Sequence, residues 1–260
     1  MTQLEELDPE VRRCVEAFKE GKPVMVFDSA FRERETDLLW PAFAATPAVM
    51  RQLRKDCGGL LFLAVGHDVG KRFGLPFLQD LHSEETAVKK NPVLSYLITN
   101  DLQYDSRSAF TLSLNHRETY TGITDKDRAL TTRRFGELVD ELQKKEASVE
   151  ESMAALGKEF RTPGHIPLCR ESIEGLKSRQ GHTELAVSIA RLAGLPACTI
   201  GAEMLQPDGD SALPVEEARK YAEKYGIPMV TGADLLKAHG LATDEKEAKD
   251  PEAKKAKVDN

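Results

Sequence analysis

HTELAVSIARLAGLPACTIGAEM, residues 182–204, decides the architecture. Leu185, Ile189 and Leu192 recur at helical spacing, which predicts a helix from Thr183 to about Ala193. ACTIGAEM at 197–204 is then a short apolar run of strand length. A helix handed directly to a buried strand is the repeating step of an α/β protein, and the pattern continues on both sides. HIPLC (165–169) precedes it as a strand, while VEEARKYAEKYG (215–226) and PMV (228–230) follow as helix and strand. Toward the N-terminus, Val11, Cys14, Val15 and Phe18 form an amphipathic helix that stops at Gly21. PVMVF (23–27), LLWPAF (38–43), GLLFLAV (59–65) and AFTLSL (109–114) read as strands. DKDRALTTRRFGELVDELQKKE (125–146) reads as a helix, with Asp125 placed to cap its first turn. The expected fold is therefore α/β (α+β): one domain of three layers over residues 1–240, a mixed twisted sheet flanked by helices. Residues 80–108 break the pattern with a charged segment too long for an ordinary connection. They are taken as an insertion with a short helix of its own. Residues 241–260 are charged and free of aromatics, and are expected to be a disordered tail.

Composition narrows the function. The chain has 260 residues, 40% of them apolar, without an apolar run approaching the roughly 20 residues that cross a bilayer, so no membrane is expected. The start, MTQLEELDPEV, lacks a basic n-region and an apolar h-region; the expected compartment is the cytoplasm. A net charge of -7 argues against nucleic acid as a partner. Cys14, Cys57, Cys169 and Cys198 are isolated, as reduced core thiols are.

Three places carry chemistry. Asp28-Ser-Ala-Phe-Arg32-Glu33-Arg34-Glu35-Thr-Asp37 packs four carboxylates and two guanidinium groups into ten residues between two strands. Glu33, Glu35 and Asp37 alternate, so in an extended segment they share a side and offer oxygen ligands to magnesium or manganese. A solvated turn is the plainer reading. Arg179, Gly181, His182 and Thr183 stand at the start of a helix, where free amides and the macrodipole favour a phosphate; alternatively Thr183 only caps the helix. Glu203 ends an apolar strand, where a carboxylate serves as a base or simply meets solvent. Thr121-Gly-Ile-Thr-Asp125 before a helix suits a phosphate or a cap, the cap being the plainer reading.

FDSAFRERETDL, KDCGGLL, SAFTLSLNHRETYTGITDKDRA, FRTPGHIPL, RQGHTE and AEMLQPDG, in this order, resemble the 3,4-dihydroxy-2-butanone 4-phosphate synthases in their archaeal form. The resemblance runs from the first helix to the strand near residue 230. It implies a lyase of riboflavin biosynthesis that turns ribulose 5-phosphate into a four-carbon phosphate and formate. It also implies a homodimer with two divalent cations per subunit, magnesium or manganese. Glu33 and His182 fall on the family's metal ligands, with Asp28, Glu35 and Asp37 supporting the ions or handling protons. Arg32, Glu33, Asp37, Thr121, Arg179, Gln180, Gly181, His182, Thr183 and Glu203 fall on substrate contacts, and His165 and Glu203 on the acid–base pair.

Two departures matter. Phe62 stands where many relatives have a cysteine, and Arg34 occupies a small or polar position in the acidic loop, where it would pair with Glu35 or compete with a metal. Ala202 also replaces a common cysteine, a change between small side chains. Two other readings stay open: a different metal-dependent phosphosugar isomerase or aldolase, which would keep the phosphate loop and the metals but release no formate, and, because of Phe62 and Arg34, a non-catalytic phosphosugar-binding homologue.

Overall fold

The computed structural model describes residues 6–98 and 101–242; the expected tail lies, from residue 243 on, outside the described residues. Seven strands form one sheet among the described residues: β1 (Val24–Phe27), β2 (Thr36–Pro41), β3 (Phe62–Val65), β4 (Phe110–His116), β5 (Phe160–Arg170), β6 (Cys198–Glu203) and β7 (Met229–Thr231). Their order across the sheet is β4-β5-β3-β6-β2-β1-β7. The sheet is mixed. β1 pairs parallel with β7 and β3 with β5, while β1–β2, β2–β6, β3–β6 and β4–β5 are antiparallel.

The middles of the central strands are mostly apolar because helices cover them. Val24, Met25, Val26, Leu38, Leu39, Leu63, Ala64, Val65 and Ile200 are fully buried. The helices Pro9–Lys19, His182–Leu192 and Gly232–Ala238 pack together as one group, and Asp125–Lys144 packs with Pro47–Gln52 as another. The α/β class and the mixed sheet match the sequence reading.

The boundaries differ where charge hid the pattern. β2 begins at Thr36 rather than Leu38 and includes Asp37, a carboxylate wholly buried in the sheet. It ends at Pro41, where the chain turns into a 3-10 helix, Ala42–Ala44. β5 starts at Phe160, five residues before HIPLC, because FRTPG pairs with the end of β4 through a register shift. Among its described residues the insertion region holds three short helices, Leu78–Ser83, Glu85–Lys90 and Leu94–Leu97, where one was expected. The helix Val149–Glu159, with a capping box of Ser148 and Glu151, was not foreseen. Asp125 does not cap the helix that follows it. Thr124 does, its side chain accepting from the Asp127 N–H, while Asp125 pairs with Arg54 at 2.9 Å.

Candidate active site

The acidic loop is shaped by Asp28. Its buried carboxylate accepts from the backbone N–H groups of Glu33 at 2.9 Å and Glu35 at 3.0 Å, and its own N–H donates to the Glu35 carbonyl. One side chain thus closes the loop on itself, and burial raises its pKa. Asp28 is an organiser of the loop, set behind the residues that face the site. Arg34 neither pairs with Glu35 nor reaches the site: it turns outward in a left-handed conformation (φ 60°) and donates to the Ala30 carbonyl at 2.9 Å.

Inside that frame, Glu33, Glu35 and Asp37 converge on one imidazole. His182 Nδ1 lies 2.7 Å from Asp37 Oδ2, and its Nε2 lies 3.4 Å from Glu33 and 3.5 Å from Glu35. Burial disfavours the charged ring, but Asp37 and Glu33 outweigh it and hold the His182 pKa well above the ordinary value. The His182 ring in turn holds Glu33 below the usual carboxylate range, whereas burial raises Glu35. Glu33, Glu35 and His182 offer three ligand atoms within 4.8 Å of one another. His182 Nε2 is buried without a hydrogen-bond partner. Two carboxylates and an oriented imidazole fit a divalent cation of the magnesium or manganese class.

Glu203 ends β6 directly opposite Asp37 on β2, so the two side chains leave the sheet on one face. Burial first, and then the Asp37 charge, push Glu203 up to about 7. Gly59 makes this position possible: its N–H donates to the Glu203 carbonyl at 3.0 Å, and a Cβ there would stand 2.6 Å from that oxygen.

Arg179 precedes the helix His182–Leu192, whose N-cap, Gly181, makes no side-chain cap. Thr183 therefore does not serve as the cap. A Cβ on Gly181 would meet the Arg179 guanidinium at 2.6 Å, so the glycine gives that side chain its path. Arg179 is held by the fully buried Glu184 at 2.6 Å and by Asp105 at 2.9 Å. A cavity of about 290 Å³ brings together Glu33, Arg179, His182, Thr183 and Glu203, walled by Phe62, Cys169 and Asp105. Phe62 is buried in that wall. Cys169 also reaches it, but burial pushes its thiol up to about 12, so it supplies no thiolate.

Other expected site residues lie elsewhere. Arg32 is beside the cavity, 3.1 Å from Asp105, and Gln180 is half-buried at the entry to the helix; neither lines the cavity. His165 and Thr121 are exposed, gathered around Asn115, whose Oδ1 accepts from the His165 N–H at 2.9 Å and whose Nδ2 donates to the Thr121 carbonyl at 3.4 Å. His165 is four residues before Cys169 on β5, roughly 13 Å along the strand. The amides of the Thr121 turn are not open to a phosphate, because those of Thr121 and Gly122 donate to Asp127 at 3.1 and 2.8 Å. Sequence reasoning missed Asp105, Glu184 and Asn115. Glu184 was visible in the Gly-His-Thr-Glu run, whereas Asp105 lay in the insertion, where no periodicity pointed to it.

Residues 12–238 match the family model described as 3,4-dihydroxy-2-butanone 4-phosphate synthase. A synthase of that name from Methanosarcina mazei is 40% identical over 233 residues, covering 89% of this chain and 91% of the relative. One from Archaeoglobus fulgidus is 40% identical over 221 residues, covering 85% and 90%. Among solved structures, the Candida albicans synthase superposes with a TM-score of 0.65 at 25% identity, covering 89% of this chain and 97% of its own. A further synthase, solved in complex with two magnesium ions, shares the fold with a TM-score of 0.65 at 24% identity, covering 92% and 98%. A family match spanning nearly all the described residues, with archaeal relatives at 40% identity, makes this chain a member of the 3,4-dihydroxy-2-butanone 4-phosphate synthase family.

Proposed function

We propose that the chain converts D-ribulose 5-phosphate into 3,4-dihydroxy-2-butanone 4-phosphate and formate, the lyase step of riboflavin biosynthesis. It acts as a cytoplasmic homodimer with two divalent cations per subunit, magnesium or manganese, through a catalytic unit spanning residues 1–240. The observation that carries this reading is the convergence of Glu33 and Glu35 on His182 Nε2, beside Glu203 and Arg179 in one cavity.

Glu33 and His182 hold the cation site, with Glu35 completing the set. Bound there, a divalent cation supplies a positive charge that stabilises the negative charge formed when a proton leaves the carbon beside the ketone. Asp37 fixes the His182 ring by accepting at Nδ1, and its Oδ1, buried without a partner, is left for a sugar hydroxyl. Arg32 contacts the sugar from the loop side. Arg179, Gln180, Gly181 and Thr183 bind the phosphate at the start of the helix, where amides and charge act together. Glu203, with a pKa of about 7, both accepts and returns protons near neutral pH. Asp28 keeps Glu33 and Glu35 in place through their amides.

His165, the second acid–base group, and Thr121, a substrate contact, sit outside this cavity. The homodimer resolves that: a twofold partner presents its own His165 and Thr121 to the cavity. The exposed neighbours Tyr120 and Ile123, 92% and 54% accessible, suit a face covered by another subunit.

The test is formate release from ribulose 5-phosphate by the purified protein, with magnesium and with EDTA, alongside detection of the four-carbon phosphate. Metal-dependent formate in step with that product is expected. Turnover without formate would point to an isomerase or aldolase, and binding without turnover to a non-catalytic homologue.

A further inference from the structure

Asp105 belongs to the segment read from sequence as an insertion, yet its carboxylate lies inside the candidate site. A single oxygen, Oδ2, receives both Arg32 Nη2 at 3.1 Å and Arg179 Nη2 at 2.9 Å. The neighbouring Tyr104 extends the clasp: its hydroxyl donates to the Arg32 carbonyl at 3.1 Å, and the Arg32 guanidinium lies 5.4 Å from its ring centre. The residues around 104 and 105 thereby join the acidic loop to the arginine that precedes the helix His182–Leu192.

The arrangement is poorly saturated. Arg32 Nε and Arg179 Nε are both buried and have no hydrogen-bond partner. One carboxylate oxygen shared by two guanidinium groups leaves donors over, whereas a phosphate monoester brings three acceptor oxygens and up to two charges. The two carboxylates on Arg179 also differ. Glu184 is fully buried within its helix and additionally accepts from the Ser172 N–H at 2.9 Å, so it is a fixed support. Asp105 lies outside the sheet and its helices, its side chain 18% accessible, and it lines the cavity.

We propose that Asp105 is an internal stand-in for the substrate's phosphate at Arg179, tying that side chain to Arg32 and competing with the phosphate group for it. The inference rests on the proposed binding of a phosphosugar at Arg179. Asp105 makes no contact with reacting atoms in this scheme; it sets affinity for the phosphate end of the ligand.

The experiment compares the full-length protein with Asp105→Asn, measuring inorganic phosphate binding by calorimetry and the kcat and KM for ribulose 5-phosphate. Removing the competing charge is expected to lower the phosphate Kd and the KM by about tenfold while leaving kcat within about twofold. Asp105→Glu, which keeps the competing charge, should not lower the phosphate Kd below that of the parent. An unchanged or raised phosphate Kd in a folded Asp105→Asn protein would overturn the proposal and make Asp105 a support retained beside the ligand. Phosphate binding needs no turnover. If the parent protein releases no formate, the proposed reaction fails while the competition for phosphate remains measurable.

Discussion

Asp37 Oδ2 lies 2.7 Å from His182 Nδ1, across 145 positions of sequence, and this contact decides which ring nitrogen faces the site. A carboxylate on the far side of a ligand histidine fixes its tautomer and strengthens it as a donor. Asp37→Asn should therefore weaken magnesium binding by about 10- to 100-fold with the fold retained. Magnesium titration of formate release, checked against circular dichroism, measures this; unchanged affinity would remove Asp37 from that role.

Glu33→Gln is expected to abolish turnover and leave the melting temperature close to that of the parent, since Glu33 is exposed and its backbone N–H still reaches Asp28. EDTA should reproduce the loss in the parent protein, and added magnesium should reverse it. An active Glu33→Gln protein would sink the assignment of this residue to the cation.

If His165 and Thr121 act across a twofold axis, separately inactive Glu33→Gln and His165→Asn proteins should complement each other. Random reassociation of an equal mixture yields about a quarter of the parental activity, because half the dimers are mixed and each mixed dimer carries one intact site. Failure of mixed dimers to recover any activity would place His165 with the cavity of its own subunit, or outside catalysis.

Glu203 gives a pH signature with a definite sign. Its folded pKa of about 7 lies above the ordinary 4.5, so the folded protein holds a proton that the unfolded chain has released. Its contribution to stability is complete below pH 4.5 and is lost as the pH rises through about 7. One such group adds a slope no steeper than about 1.4 kcal/mol per pH unit. Urea unfolding of the metal-free protein across this window should show a downward slope that Glu203→Gln flattens.

Gly59→Ala should destabilise by about 1–3 kcal/mol, because the added Cβ would lie 2.6 Å from a Glu203 backbone oxygen that cannot rotate away. The melting temperature measures the cost. Activity should fall as well, since the same strand end carries the Glu203 carboxylate.

The sequence was most legible where apolar residues mark one period. PVMVF, GLLFLAV and CTIGA became β1, β3 and β6 because both faces of those strands are covered and nearly every residue is apolar. It was least legible where a charge is buried for function: Asp37 cut the start of β2 out of the pattern although it is one of the most buried residues in the chain. In the site, the alternation of Glu33, Glu35 and Asp37 carried the right information, and all three reach His182. The family resemblance named His165 and Thr121 but could not say that one subunit keeps them away from the cavity. Asp105 was hidden for a simpler reason. Its partners are 73 and 74 residues away, and a lone aspartate in a polar segment carries no periodic signal.

The place of β6 bears on how the chain is made. It is the sixth strand in sequence but lies at the centre of the sheet, between β3 and β2. Until residue 203 has left the ribosome, the hairpin of β1 and β2 and the trio of β3, β4 and β5 share no strand, and each presents an open edge where β6 will sit. Unfilled edges invite pairing with other chains. A product terminated between residues 183 and 197 would therefore carry six of the seven carboxylates and histidines assigned to the cation and acid–base chemistry, all but Glu203, with no central strand to join the two parts of its sheet, and would be a substrate for chaperones before it could be an enzyme.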